Sequence, residues 1–122
     1  HPEYRRQRQM CIRDRIFTGA TASMRGGANF AAFASAKNGL RALAQSMARE
    51  LGPQNIHVAH VIIDAAVDTE WIKSIHPEYN KKIKTDGIVN PSHLAENYLY
   101  LYDQPRDAWT FELDLRPWQE TW

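Results

Sequence analysis

A phenylalanine and a lysine stand four residues apart in this 122-residue chain, as Phe33 and Lys37. Residues at i and i+4 share one face of a helix, so these two side chains are expected to lie side by side. A tyrosine at position 33 would have its phenol beside the Lys37 ammonium, which favours the phenolate and lowers the phenol pKa. Phenylalanine has no hydroxyl. The spacing therefore predicts the frame of a proton-transferring pair that lacks the group carrying the proton.

The segment around this pair has the periodicity of a long helix. Apolar residues recur every three or four positions, and Arg41 belongs to a polar stripe on the other side. This spacing predicts an amphipathic helix over 29–51. Asn29 is the expected N-cap, and Gly52-Pro53 is expected to end the helix. The apolar positions are Phe33, Ala36, Leu40, Leu43, Met47 and Leu51.

Two apolar segments flank this helix. Residues 16–18 are expected to form a strand that ends in the small-residue loop 19–23. Residues 56–63 are β-branched on both faces, as in a parallel strand that helices cover on both sides. Strand, helix and strand in succession make a βαβ unit with a right-handed crossover. This order indicates a doubly wound α/β architecture.

The C-terminal part contains a further helix and a further strand. After the polar stretch 69–89, Asn90-Pro91 is typical of a helix start, with an N-cap followed by proline at the first helical position. Gln104-Pro105 is expected to end that helix. Residues 109–115 alternate apolar with polar side chains, which predicts an edge strand with one buried and one polar face.

Composition excludes several classes of protein. The chain is 43% hydrophobic and 24% charged, as is usual for one small globular domain. No apolar run approaches the roughly 18 residues of a membrane span, and no secretory signal pattern is present. One cysteine, Cys11, excludes an intramolecular disulfide. His57 and His60 fall on opposite strand faces and cannot share a metal. We expect a cytoplasmic protein with no membrane partner and no metal.

Residues 1–15 differ from the rest of the chain. They carry five arginines against Glu3 and Asp14, with no apolar periodicity. We interpret them as a non-native leader, such as adapter read-through leaves on open reading frames assembled from environmental DNA. The alternative is a basic arm that binds nucleic acid by neutralising phosphates. Since residues 16–122 carry more acidic than basic groups, we expect no nucleic-acid partner.

Residues 16–122 resemble the C-terminal half of a short-chain dehydrogenase/reductase. The resemblance implies a partial Rossmann-like, doubly wound parallel sheet made of the C-terminal three strands and their flanking helices. The matching features are the loop after 16–18, the lysine position in Phe33-Ala34-Ser35-Ala36-Lys37, the helix 39–51 and the strand 56–58.

The resemblance also implies where an active site would lie. The tyrosine of the family falls on Phe33, its lysine on Lys37 and its serine on Ala20. Thr21 is the nearest hydroxyl, and it would hydrogen-bond a substrate carbonyl if the loop is one residue shorter than usual. Lys37 remains able to bind the hydroxyls of the nicotinamide ribose. General acid catalysis contributes about a hundredfold to ten-thousandfold, so loss of the tyrosine is expected to lower the rate severely.

The turn after strand 56–58 implies a second set of cofactor-binding residues. In the family a proline-glycine pair begins this turn, and a later threonine helps to seat the nicotinamide. Val67 and Thr69 match that pattern and are the implied cofactor-binding residues. Asp64 and Ala65 stand where the family has proline and glycine.

The complete parent is thus expected to be an NAD- or NADP-dependent oxidoreductase, a homo-oligomer acting on a small alcohol or carbonyl compound. Gly19, Gly26 and Gly27 do not form the family's dinucleotide fingerprint, so we expect this fragment to bind no cofactor and to be inactive as it stands. The alternative is a non-catalytic Rossmann-like scaffold or oligomerisation module, which Phe33 and Ala20 support.

Overall fold

The computed structural model describes residues 14–122. The proposed leader 1–15 therefore lies almost wholly outside the described residues. Along the described part the strands are β1 (Arg15–Ala20), β2 (Val58–Ile63) and β3 (Glu112–Leu115). The helices are α1 (Ala31–Leu51), α2 (Glu70–Ile75), α3 (Tyr79–Ile83) and α4 (Pro91–Tyr102), with short 3-10 turns at Thr21–Ser23 and Gly52–Gln54.

The three strands form one parallel sheet in the order β1-β2-β3. Arg15 pairs with Val58 at the start of β1, and Ile63 pairs with Leu115 at the end of β3. All of β2 except Ile63 is buried, as its central position requires. The predicted parallel α/β sheet, with its central β-branched strand, is confirmed.

Helices cover both faces of this sheet, so the architecture is doubly wound. Alternate residues of β2 point to opposite faces. Ala59 and Val61 pack with Leu101 of α4, which is fully buried. His60 points to the other face, where α1 lies across β1 and β2. The apolar core therefore sits between the sheet and α4.

The ends of α1 differ in part from the prediction. Asn29 is not the N-cap, because its φ of 70° places it in the left-handed region, which asparagine tolerates better than most residues. Phe30 takes the cap position without a side-chain cap bond. The helix ends at Leu51 as predicted, and Gly52-Pro53 continues into the 3-10 turn.

The predicted apolar stripe of α1 is only partly covered, with half-buried side chains at Leu40, Met47 and Leu51. Phe33 and Leu43 are 47% and 52% exposed, whereas Ala34 and Ala44 are buried. Small alanine side chains let the helix approach the sheet closely, which decides the face that turns inward. This rotation brings Arg41, expected on the solvent side, into a half-buried ion pair with the sheet.

The observed strand boundaries also differ from the predicted ones. β1 runs on through Gly19 and Ala20, which the sequence assigned to a loop, and β2 begins at Val58 rather than at residue 56. β3 is confined to Glu112–Leu115, since the Thr110 N–H donates to the Gln104 side chain at 2.7 Å rather than to a neighbouring strand. The Trp109 ring stacks on His57 with centroids 4.8 Å apart.

Between β2 and β3, the prediction of α4 is confirmed, whereas the prediction for the stretch before α4 is wrong. Asn90 caps α4, accepting from the Ser92 N–H at 2.9 Å, with Pro91 in the first turn as predicted. The stretch 69–89, for which the sequence predicted no element, contains α2 and α3.

Candidate functional site

The carboxyl ends of the three strands meet at one edge of the sheet, which is where open α/β sheets bind ligands. Ala20 is the last residue of β1 and Thr21 follows it. Asp64 follows β2, and Arg116 follows β3. Parallel pairing therefore gathers residues that are distant in sequence.

A cavity of about 460 Å³ opens at this edge. It brings together three of the candidate site residues, Ala20, Thr21 and Phe33. Phe33 reaches the cavity from the first turn of α1, and Ala20 and Thr21 reach it from the end of β1. The full lining is Ala20, Thr21, Ala22, Arg25, Gly27, Phe30, Phe33, Ile63 and Ala65.

Lys37 lies one helical turn after Phe33, as the spacing predicts. Its Nζ is 5.9 Å from the centroid of the Phe33 ring and donates to the Thr18 carbonyl of β1 at 3.3 Å. Asn38 fixes the helix beside it, donating to the Ala22 carbonyl at 2.8 Å. These bonds tie α1 to the carboxyl end of β1 and hold the lysine near the cavity.

Val67 and Thr69 lie away from that cavity. Val67 forms an isolated parallel bridge with Val89 and lines a separate apolar groove beside α4. The Thr69 hydroxyl accepts from the Ile72 N–H at 3.2 Å and so caps α2. The structure thus gives each a local packing or capping role on the loop that leaves β2.

Sequence reasoning missed Asp64 as a site residue, although it marked the position as a departure from the family turn. Asp64 is only 5% exposed and accepts a hydrogen bond from the Thr21 hydroxyl. Its other oxygen is 3.3 Å from Arg116 Nε and 3.9 Å from Arg25 Nη2. A buried charge needs such partners. The signal available in the sequence was a carboxylate directly after a buried strand.

A second polar cluster lies on the α1 face of the sheet. Glu112 of β3 receives Arg41 Nε at 2.6 Å and lies 3.1 Å from Nδ1 of His60, which is fully buried. Burial alone would raise the pKa of Glu112, but hydrogen bonds from Arg41 and His60 outweigh it and hold that pKa below its usual value. The cluster joins α1, β2 and β3.

Removing the Glu112 charge is expected to destabilise the protein in a pH-dependent way. The lowered pKa means that the carboxylate contributes stability above the usual glutamate value of about 4.3, and this is lost as pH falls through the lower folded value. Glu112→Gln should therefore unfold at a lower temperature than the wild type at about pH 7, with the gap narrowing below about pH 4.

Thermal unfolding of both proteins across this pH range measures the effect. Glu96→Gln, on the exposed side of α4, is the matched control and should show no gap at any pH. A Glu112→Gln gap that stays constant down to about pH 3 would contradict the assigned interaction.

Within residues 14–122, no helix is long and apolar enough to cross a bilayer. Within the same residues, His, Cys, Asp and Glu side chains form no group of three that could hold a metal ion. His57 and His60 bond separate partners, the Thr110 carbonyl and Glu112.

Comparison with known proteins identifies similar sequences and folds. A family model described as enoyl-(acyl carrier protein) reductase matches residues 12–110. A short-chain dehydrogenase from Rhodopseudomonas palustris is 49% identical, with a TM-score of 0.63, over 91% of this chain and 42% of its own. No curated protein matches significantly.

Two further solved structures share the fold at lower identity. An NADPH-bound short-chain oxidoreductase from Pseudomonas aeruginosa, described as containing an atypical catalytic center, is 18% identical with a TM-score of 0.69, over 88% of this chain and 46% of its own. An alcohol dehydrogenase from Thermococcus sibiricus complexed with 5-hydroxy-NADP is 24% identical with a TM-score of 0.68, over 88% of this chain and 43% of its own. The chain spans less than half the length of these three structures.

Proposed function

Since the chain belongs to the short-chain dehydrogenase/reductase family, we propose that it is the C-terminal half of a nicotinamide-dependent oxidoreductase acting on an alcohol or carbonyl compound. Phe33 stands for the catalytic tyrosine and Ala20 for the serine, so this chain is inactive as it stands. The observation that carries the proposal is the convergence of Ala20, Phe33 and Lys37 at the carboxyl end of β1.

The described residues fit the nicotinamide-ribose end of NAD or NADP. An ammonium has three donors. Among the described residues the Lys37 ammonium has one hydrogen-bond partner, the Thr18 carbonyl, so two donors remain for ribose hydroxyls. Val67 and Thr69, on the loop leaving β2, are the further proposed cofactor contacts. The cofactor would supply or accept the hydride. Because the chain contains no glycine-rich phosphate turn, we infer that residues 16–122 bind no cofactor without the preceding half of the parent.

The cavity fits a small-molecule substrate held against Thr21.

The parent is proposed to be a homo-oligomer, because Leu43 on α1 and Trp118 in the C-terminal segment leave 52% and 79% of their surfaces uncovered. A cytoplasmic location is proposed on the single cysteine. No nucleic-acid or membrane partner is proposed.

The competing candidate is a non-catalytic scaffold that keeps the fold for oligomerisation or ligand binding. Phe33 and Ala20 favour it, because neither side chain can donate or accept a proton at the cavity. The scaffold and the oxidoreductase differ in whether restored hydroxyls produce turnover.

Nicotinamide nucleotide binding tests the proposed cofactor. The full-length parent should bind NADH or NADPH, and Lys37→Met should weaken binding about tenfold to a hundredfold, the effect of losing hydrogen bonds from a charged donor. Cofactor fluorescence titration measures both. Lys73→Met, on the exposed side of α2, should bind like the wild type. A parent that binds neither nucleotide, or equal binding by both variants, would overturn the proposed cofactor role.

A further inference from the structure

Asp64 connects the carboxyl ends of all three strands. Its Oδ1 accepts the hydrogen bond of the Thr21 hydroxyl beside β1. Its Oδ2 lies 3.3 Å from Arg116 Nε beyond β3 and 3.9 Å from Arg25 Nη2. Its backbone N–H donates to the Leu115 carbonyl at 2.9 Å. The side chain is 7% exposed, so the carboxylate is fixed by these partners rather than by water.

This arrangement decides what Thr21 can do in the cavity. A hydroxyl has one donor and two acceptor positions, whereas an ionised carboxylate can only accept. The Thr21 proton must therefore point to Asp64, and the oxygen is left with accepting capacity alone. A ligand carbonyl, which also only accepts, would have to displace Asp64 to receive that proton. A ligand hydroxyl can donate to the Thr21 oxygen with no rearrangement.

We propose that Asp64 sets Thr21 as a hydrogen-bond acceptor and thereby makes this cavity selective for an alcohol over the corresponding carbonyl compound. The inference rests on the proposed function, in which this cavity holds the substrate, and it replaces the expectation that Thr21 donates to a carbonyl. Thr21 is the residue that touches the ligand, and Asp64 acts through it as a positioning residue.

The two oxygens of the Asp64 carboxylate face different partners, Thr21 and Arg116, so one substitution can remove the preference. Arginine only donates, so an amide at position 64 places its oxygen on the Arg116 side and its NH₂ on the Thr21 side. The NH₂ group then donates to the Thr21 oxygen, which frees the Thr21 proton to point into the cavity. Because both a carbonyl and an alcohol oxygen can accept that proton, Asp64→Asn should remove the preference for the alcohol.

Binding of cyclohexanol and cyclohexanone to the full-length parent, followed by ligand-observed NMR, tests the proposal. One hydrogen bond is worth about 0.5–1.5 kcal/mol, which corresponds to a roughly two- to tenfold preference for cyclohexanol. Asp64→Asn should bind the two probes equally. Thr21→Val should bind both probes equally, and Thr21→Ser should retain the preference of the wild type.

Asp114→Asn is the matched control. Asp114 also accepts a hydrogen bond from Arg116, but it is exposed and has no bond to Thr21. Asp114→Asn should therefore leave the preference unchanged. The preference is compared only among variants with unchanged circular dichroism, and Thr21→Val gives the answer if Asp64→Asn does not fold. An alcohol preference that survives Asp64→Asn or Thr21→Val would overturn the proposal, as would a wild type that binds neither probe. Since the readout needs no turnover and no cofactor, a failed redox assay would leave this result standing.

Discussion

Ala20→Ser combined with Phe33→Tyr in the full-length parent is expected to raise NADPH-dependent carbonyl reduction about a hundredfold to ten-thousandfold, the usual contribution of a positioned general acid. Both positions line the same cavity. Lys37 Nζ is 5.9 Å from the Phe33 ring centroid, so a phenol there would have a positive charge nearby, which lowers its pKa. Turnover is measured as loss of NADPH absorbance with cyclohexanone as substrate.

Phe30→Tyr is the matched control for this gain of activity. Phe30 lines the same cavity and is 57% exposed, but no lysine follows it at the fourth position. A hydroxyl there should leave the rate unchanged. If the double variant binds NADPH and still shows no gain, the non-catalytic scaffold is the better description of the protein. Equal gains from Phe30→Tyr would show that any cavity hydroxyl suffices and would contradict the role assigned to Lys37.

Leu101→Ala is expected to lower the free energy of unfolding by about 2–5 kcal/mol. Leu101 is fully buried and packs with Ala59 and Val61 of β2, so truncation leaves a cavity between α4 and the sheet. Urea denaturation of the wild type and the variant measures the difference.

Leu99→Ala gives the comparison on the same helix. Leu99 is 63% exposed, so the same truncation should cost less than about 1 kcal/mol. Equal losses for the two variants would mean that α4 does not pack on the sheet through Leu101. That result would contradict the position assigned to the apolar core.

Local sequence patterns were sufficient to predict those elements that depend only on neighbouring residues. The β-branched run at Val58–Ile63 predicts a central strand because both of its faces must be apolar. Asn90-Pro91 predicts the start of α4 because cap geometry involves only neighbouring residues. The relation of Phe33 to Lys37 is likewise local, since helix geometry sets it.

Features that depend on contacts between distant residues were not predicted from the sequence. The inward face of α1 was predicted only in part, because the small side chains of Ala34 and Ala44, outside the predicted stripe, are buried where they allow a close approach to the sheet. Arg41 looked like a solvent-facing residue until the fold placed it against Glu112, 71 positions away.

The sequence by itself determined the parallel α/β class and the family. Only the tertiary structure decided which polar groups meet at the carboxyl ends of the strands. Thr21, Asp64 and Arg116 each follow a different strand, and no local pattern relates them. Parallel pairing brings them together, and the buried Asp64 carboxylate accepts hydrogen bonds from the Thr21 hydroxyl and the Arg116 guanidinium in place of water.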